Sequence, residues 1–187
     1  MTHVRPSQRM RDLGVVQHGA GILAEPARPF DLPAERGEAE RIVDELFAAI
    51  ERIGQVNPFA KGMGTAAPQI GIARAAALVL PPDNTPAVVL LNPRITESSE
   101  ETDEQYEGCL SFFDVRGLVP RPLKITVEAA TLAGETTTTV YERGLARLID
   151  HEIDHLDGLV YTARMRHGVD PIPVEKYRQT GRVWAYE

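Results

Sequence analysis

A single cysteine, Cys109, stands in a chain of 187 residues, so no internal disulfide framework can hold this protein together. Basic residues are also in deficit: 20 Lys and Arg against 27 Asp and Glu leave a formal net charge of -7. That sign is wrong for a protein that coats nucleic-acid phosphates. No apolar run is long enough to cross a bilayer. The opening MTHVRPSQRMRDLG lacks the apolar core of a secretory signal, so the expected location is the cytoplasm, with no membrane partner. Internal repeats, low-complexity tracts and an interdomain linker are missing as well. What remains is 43% hydrophobic and 25% charged, which suits one soluble globular domain over residues 1–187 with a sizeable core.

Along the chain, residues 1–30 read as an irregular arm with one short helix, because Gly14, Gly19, Gly21 and the prolines break any period. A packing helix is expected to begin between Pro33 and Glu38, with Ile42, Val43, Leu46, Phe47, Ile50 and Ile53 on one apolar face up to Gly54. QVNPFAKGMGTAAPQIG, residues 55–71, carries glycines and prolines that oppose regular structure over most of its length. Strands are expected at Ala75 to Leu80 and Ala87 to Asn92, separated by PPDNTP. The acidic stretch from Glu97 to Glu107 reads as a solvated loop. LKITVEA from Leu123 alternates as a half-buried strand should, and Ala133-Gly134 turns it back through a threonine-rich return strand to Tyr141. The tail, residues 166–187, is rich in breakers but holds the sole tryptophan, which is expected to dock.

Tyr141 to Gly158, YERGLARLIDHEIDHLDG, reads as the central helix, capped at its end by Gly158 and followed by strand-like Leu159-Val160-Tyr161. Leu145, Ile149, Ile153 and Leu156 repeat at intervals of three and four and mark one buried side. The other side carries H-E-x-x-H. Four residues apart on a helix, His151 and His155 share a face and can present two imidazoles to one metal ion. Glu152 lies about 100° round from His151, close enough to reach a water on that metal without being a ligand. A surface helix with two chance histidines is the alternative reading of the motif alone.

Two histidines need at least one more protein ligand for a catalytic tetrahedral site. Where metzincin proteases place a third histidine, after H-E-x-x-H-x-x-G, this chain has Tyr161. His3, His18 and His167 sit in poorly structured sequence and read as surface residues. Cys109 is the better candidate, since Gly108 in EGCLS allows close backbone approach and a thiolate completes a His₂Cys set.

Taken together, GMGTAAPQ at Gly62 to Gln69, EGCLS at Glu107 to Ser111 and HEIDHLDG at His151 to Gly158 resemble, in order and rough spacing, the three signature motifs of peptide deformylases. FAKGMGTAAPQIG and EGCLSFFDVRGLVPRP are most similar to actinomycete-type members. The resemblance implies an α+β fold in which sheets surround the H-E-x-x-H helix, with an N-terminal packing helix. It makes Cys109, His151 and His155 the metal ligands, Glu152 the general base, and Gln69 with the Leu110 backbone N–H the donors to the reacting oxygen. Gly62, Met63, Gly64 and Gly108 correspond to the family's main-chain contacts to an extended peptide. The implied reaction is hydrolysis of the N-formyl group of formyl-methionyl peptides and nascent chains, with the ribosome a candidate partner. Fe²⁺ is the implied metal, one per chain, with Zn²⁺, Ni²⁺ or Co²⁺ able to substitute.

Three departures from the common family pattern carry expectations of their own. Thr65 replaces a bulky aliphatic residue and should alter packing beneath the substrate loop, while Phe112-Phe113 replaces a Val-Pro-like pair and should alter one pocket wall. Arg147, four residues before His151, is expected to snorkel or pair with Asp150 or Asp154 rather than touch substrate. Two competing readings stand beside deformylation. One is an internal metallopeptidase, disfavoured by Tyr161 and EGCLS; the other is a silent protein that only sequesters formyl peptides, disfavoured by an intact set of catalytic groups.

Overall fold

The computed structural model describes residues 4–186 except 84 and 183. Its chain order begins with a short helix α1 (Pro6–Asp12) and a long helix α2 (Arg36–Val56). Then come the strands β1 (Met63–Ala66), β2 (Ala76–Leu80), β3 (Val88–Leu91), β4 (Arg94–Ser98), β5 (Thr102–Cys109), β6 (Phe112–Pro122), β7 (Lys124–Ala130) and β8 (Thr136–Glu142). Helix α3 (Arg143–Leu156), the two-residue strand β9 (Ile172–Pro173) and helix α4 (Val174–Gln179) complete it. The strands form three antiparallel three-stranded sheets, ordered β1-β2-β3, β4-β7-β8 and β5-β6-β9. The α+β class and the sheets surrounding α3 match the sequence-based expectation.

Helix α2 buries Ile42, Leu46, Ala49, Ile50 and Ile53 at helical spacing against β1 and β2. Val43 is only partly buried and Phe47 is 39% exposed, so the apolar stripe is narrower than its sequence suggests. Helix α3 packs its Ala146, Ile149, Ile153 and Leu156 on residues of two sheets, including Ala66 and Ala77 of the first and Ile125 and Val127 of the second. Those two alanines are cross-strand partners on β1 and β2, and their small side chains let the helix axis approach the sheet closely.

Several local expectations need correction. The central helix begins at Arg143, because Tyr141 and Glu142 are still paired to β7. Gly158 follows the C-cap residue Asp157 in the left-handed region at φ 76, and a β-carbon there would lie 2.8 Å from the Glu25 carbonyl carbon. Tyr161 opens a 3-10 turn, Tyr161–Arg164, instead of a strand. The glycine-rich stretch after α2 contains β1, all four of whose residues, Gly64 among them, pair with Ala77 to Leu80 of β2.

The acidic stretch is not a loop. It supplies the end of β4 and most of β5, which forms a long hairpin with β6. Arginines answer its charges: Arg121 and Arg147 bind Glu107, Arg147 binds Asp103, and Arg166 binds Glu104 at 2.7 Å. The amino-terminal arm contains α1 and the 3-10 turn Gly21–Ala24. It is tied to the functional region by Val16 N–H donating to Gln69 O at 2.8 Å and His18 N–H donating to Ser111 O at 2.7 Å. Among the described residues, no helix is long and apolar enough to cross a membrane.

Candidate metal centre and active site

Cys109 ends β5 at a register shift between Glu107 and Cys109, and a two-residue turn, Leu110-Ser111, leads into β6. The bulge turns the sulfur toward α3, where His151 and His155 lie one helical turn apart. The ligand atoms of Cys109, His151 and His155 lie within 4.8 Å of one another, and all three residues are buried. His155 Nε2 is 3.2 Å from Cys109 Sγ. The imidazole rings of the two histidines meet edge to face with centroids 5.0 Å apart. Of the other histidines, His18 stacks on Phe112 at 4.5 Å, His167 is exposed, and His3 lies outside the described residues.

Glu107 sets the state of His151. Its carboxylate can only accept, so the 3.0 Å contact from His151 Nδ1 to Glu107 Oε2 places the ring proton on Nδ1 and leaves the Nε2 lone pair for a metal. Arg121, 1% exposed, clamps the same carboxylate through Nε at 2.8 Å and Nη2 at 3.0 Å, and binds Asp154 through Nη1 at 2.7 Å. Burial alone would raise the Glu107 pKa, yet Arg121 and the hydrogen bond with His151 hold it well below the usual carboxylate range.

The donor set fits a divalent cation. Burial works against charge on His151, but hydrogen bonds to Cys109 and Glu107 hold its pKa well above the ordinary value. Burial, with His151 beside it, pushes His155 well below. Two imidazoles and one thiol brought within 4.8 Å of one another offer three donors that a single cation can share. Among the described residues this is the group of three or more His, Cys, Asp or Glu whose geometry suits a metal.

Glu152 faces the strand β1. Its Oε2 is buried without a hydrogen-bond partner, and burial pushes its pKa up to about 7. A β-carbon on Gly64 would lie 2.4 Å from Glu152 Oε1, so the missing side chain at Gly64 is what gives the carboxylate its room. Gln69, 1% exposed, is held by its own carbonyl: Oε1 accepts from Ala66 N–H at 2.9 Å and from Thr65 Oγ1 at 3.4 Å. Its amide therefore points the other way, donating to Ser111 Oγ at 3.2 Å and to Cys109 Sγ at 3.6 Å. Thr65 thus acts on the orientation of Gln69, a role its aliphatic counterpart could not fill. Leu110 is buried beside the cysteine, and its carbonyl accepts from Gln17 Nε2 at 3.1 Å.

A cleft of about 350 Å³ opens over these groups, with Gly62, Met63, Gly64 and Gly108 in its lining. It lies between two sheet edges, since β1 and β5 each end the strand order of their sheet. Gly62 adopts φ 84 and would place a β-carbon 2.7 Å from Leu80 O. Arg116 lies against Gly108, where a β-carbon would meet its Nε at 2.6 Å, and its guanidinium sits 5.0 Å over Phe113. Phe113 lines the cleft, while Phe112 turns away toward His18 and Tyr161.

Arg147 corrects its expected pairing. Its Nη1 donates to Glu107 Oε1 at 2.6 Å and Val119 O at 3.0 Å, and its Nη2 donates to Asp103 Oδ1 at 2.6 Å. Asp154 is already taken by Arg121 and Arg164, and Asp150 by Arg121. Sequence reasoning overlooked the roles of Glu107, Arg121, Ser111 and Gln17. Within EGCLS and VPRP the glutamate and arginine were visible, but only the β5–β6 register pairs them.

Comparison with known proteins gives one family. Residues 13–170 match the family model for polypeptide deformylase. The peptide deformylase of Desulforudis audaxviator is 36% identical over 150 residues, covering 80% of this chain and 91% of that one. The peptide deformylase of Roseiflexus castenholzii is 42% identical, covering 78% of this chain and 82% of its own length. Among solved structures, the class I type b peptide deformylase from Acinetobacter baumannii with Met-Ala-Ser bound is similar at a TM-score of 0.70 and 32% identity, over 81% of this chain and 96% of that one. The matched span contains the cysteine turn, the H-E-x-x-H helix and the 3-10 turn that carries Gln69 alike, and on that ground this chain belongs to the polypeptide deformylase family.

Proposed function

We propose that residues 1–187 form one deformylase domain that hydrolyses the N-formyl group of formyl-methionyl nascent chains in the cytoplasm, beside the ribosome, releasing formate and a free amino terminus. The observation that carries the reading is the convergence of three buried ligands within 4.8 Å with an unpartnered Glu152 Oε2 and an immobilised Gln69 amide. Cys109, His151 and His155 hold the metal, which supplies Lewis acidity toward a water and toward the formyl oxygen. Fe²⁺ is the proposed ion, with Zn²⁺, Ni²⁺ or Co²⁺ able to replace it.

The chain's own groups do the rest. An extended peptide adds to the free edges of β1 and β5, its main chain meeting Gly62, Met63, Gly64 and Gly108. Glu152 accepts a proton from the attacking water and delivers it to the departing amine nitrogen, a transfer suited to a carboxylate whose burial raises its affinity for protons. The Gln69 amide and the Leu110 N–H donate to the oxygen as it gains negative charge. Gly64, with no side chain to displace Glu152 Oε1, keeps the carboxylate beside the ligand cluster.

Substrate selectivity tests this directly. Formyl-Met-Ala-Ser should be turned over at least tenfold faster than acetyl-Met-Ala-Ser, because the added methyl must enter the space between the ligands and Gly64. Equal rates on both peptides would contradict the reading. Gly64→Ala should lower kcat by about tenfold to a hundredfold with metal content unchanged, since a β-carbon forces Glu152 Oε1 out of place. A kcat within twofold of wild type would show that the carboxylate position is not critical.

Metal identity is open to a separate measurement. Zinc stands above iron in the affinity order, so aerobic purification should exchange it into a His₂Cys site. Protein prepared anaerobically with Fe²⁺, or loaded with Co²⁺ or Ni²⁺, is expected to turn over much faster than the zinc form. Equal rates would assign zinc as the working metal.

A further inference from the structure

The tail beyond α4 lies outside the residues that match the family model, yet it is built into the cleft. Trp184 contributes to the lining of the catalytic cavity. It also lines an adjacent cavity of about 280 Å³, as does Tyr106, so the indole is a partition between two spaces. The tail is held at both sides of that ring. The Gln105 side-chain amide clasps the Ala185 main chain, Ala185 N–H donating to Gln105 Oε1 at 2.7 Å and Gln105 Nε2 donating to Ala185 O at 3.1 Å. Gly144, near the start of α3, donates its N–H to Tyr186 O at 2.8 Å. A β-carbon at Gly144 would lie 2.4 Å from that same oxygen, so the helix start carries a glycine where the tail crosses it. Tyr186 in turn braces Trp184 edge to face at 5.9 Å.

The remaining walls near the partition decide what it selects. Arg147 and Leu148 stand one turn before His151 on α3 and line the same cavity. The Arg147 guanidinium is fully engaged by Asp103, Glu107 and Val119, so it forms a fixed floor and offers no free charge to a substrate. A side chain entering beside the metal ligands therefore meets an aliphatic wall at Leu148 and aromatic walls at Tyr106 and Trp184. Such a slot accepts an unbranched, polarisable chain, and a thioether against an aromatic edge is a favourable contact.

We propose that the tail residues Trp184, Ala185 and Tyr186 form the specificity wall of this enzyme, with Trp184 restricting the first residue of the substrate to an unbranched side chain of methionine length. This rests on the deformylase reading and adds to it the residue that sets side-chain choice. Opening the partition joins the second cavity to the first and admits bulkier side chains.

The test compares kcat/KM on formyl-Met-Ala-Ser and formyl-Phe-Ala-Ser for Fe²⁺-loaded wild type, Trp184→Ala, Trp184→Phe and Gly144→Ala. The Phe-to-Met ratio should rise about tenfold in Trp184→Ala and less in Trp184→Phe. Gly144→Ala, which displaces the tail with the indole intact, should reproduce the rise. A second readout does not depend on turnover: Trp184 is the only tryptophan in the chain, so its fluorescence reports the wall alone. Met-Ala-Ser should shift that emission saturably at the concentrations that competitively inhibit formate release. An active wild type whose ratio stays within twofold in both Trp184→Ala and Gly144→Ala, or whose emission ignores bound Met-Ala-Ser, overturns the wall. A wild type inactive on both formyl peptides overturns the deformylase reading itself, and the wall with it.

Discussion

Glu152→Gln is expected to retain the metal and lose turnover by about 10²–10⁴-fold, the usual contribution of a positioned general base. Glutamine keeps the size of the side chain and leaves Cys109, His151 and His155 as they are. It cannot accept the proton of the attacking water. The structure sharpens the expectation, because Glu152 Oε2 has no protein partner that would compete for its proton. Among the remaining cleft residues, Glu107 is already committed to Arg121, Arg147 and His151 and cannot take over. Metal content and kcat measured on the same sample check the claim. A variant with full metal and near-wild-type kcat would show that another group is the base.

Gln69→Ala is expected to depress kcat more than it raises KM, by about 2.7–4 kcal/mol in barrier height if its amide is an oxyanion donor. The amide is aimed before substrate arrives: Ala66 N–H and Thr65 hold its carbonyl, leaving the nitrogen toward Cys109 and Ser111. That preorganisation is what makes a donor valuable in the transition state, since nothing need reorient as charge develops. Thr65→Val, which keeps the shape but removes the hydroxyl, serves as a milder companion. Steady-state kinetics separate the cases, and a pure KM effect would reduce Gln69 to a binding residue.

Legibility of this fold followed how local the determining physics is. Helix α3 and the two imidazoles on one face were readable because helical periodicity and the i, i+4 ligand spacing are properties of one segment. So were the buried stripe of α2 and the β7–β8 hairpin. The β5–β6 hairpin was not, since a strand carrying Asp103, Glu104 and Glu107 looks solvated until the arginines that neutralise it are known. Arg121 lies on the partner strand and Arg147 on α3. Those pairings come from tertiary register, which no window of sequence contains. For the same reason Arg147 looked like a partner for Asp150 or Asp154, which lie at helical spacing along its own helix. The candidate ligand Cys109 was visible through its glycine neighbour, whereas Gln17 and Trp184 reach the site from opposite ends of the chain and carried no local signal beyond the rarity of tryptophan.

Formate release and peptide-bond cleavage, followed together on formyl-Met-Ala-Ser with anaerobically prepared Fe²⁺ protein, test the central claim most directly. The geometry of a buried His₂Cys cluster, an unpartnered carboxylate and an immobilised amide predicts one formate and one intact Met-Ala-Ser per turnover, with both products lost after chelation of the metal. Cleavage between methionine and alanine without formate would make this chain a peptidase. Saturable binding of the peptide with neither product would make it a formyl-peptide sequestering protein, and either result would contradict the account.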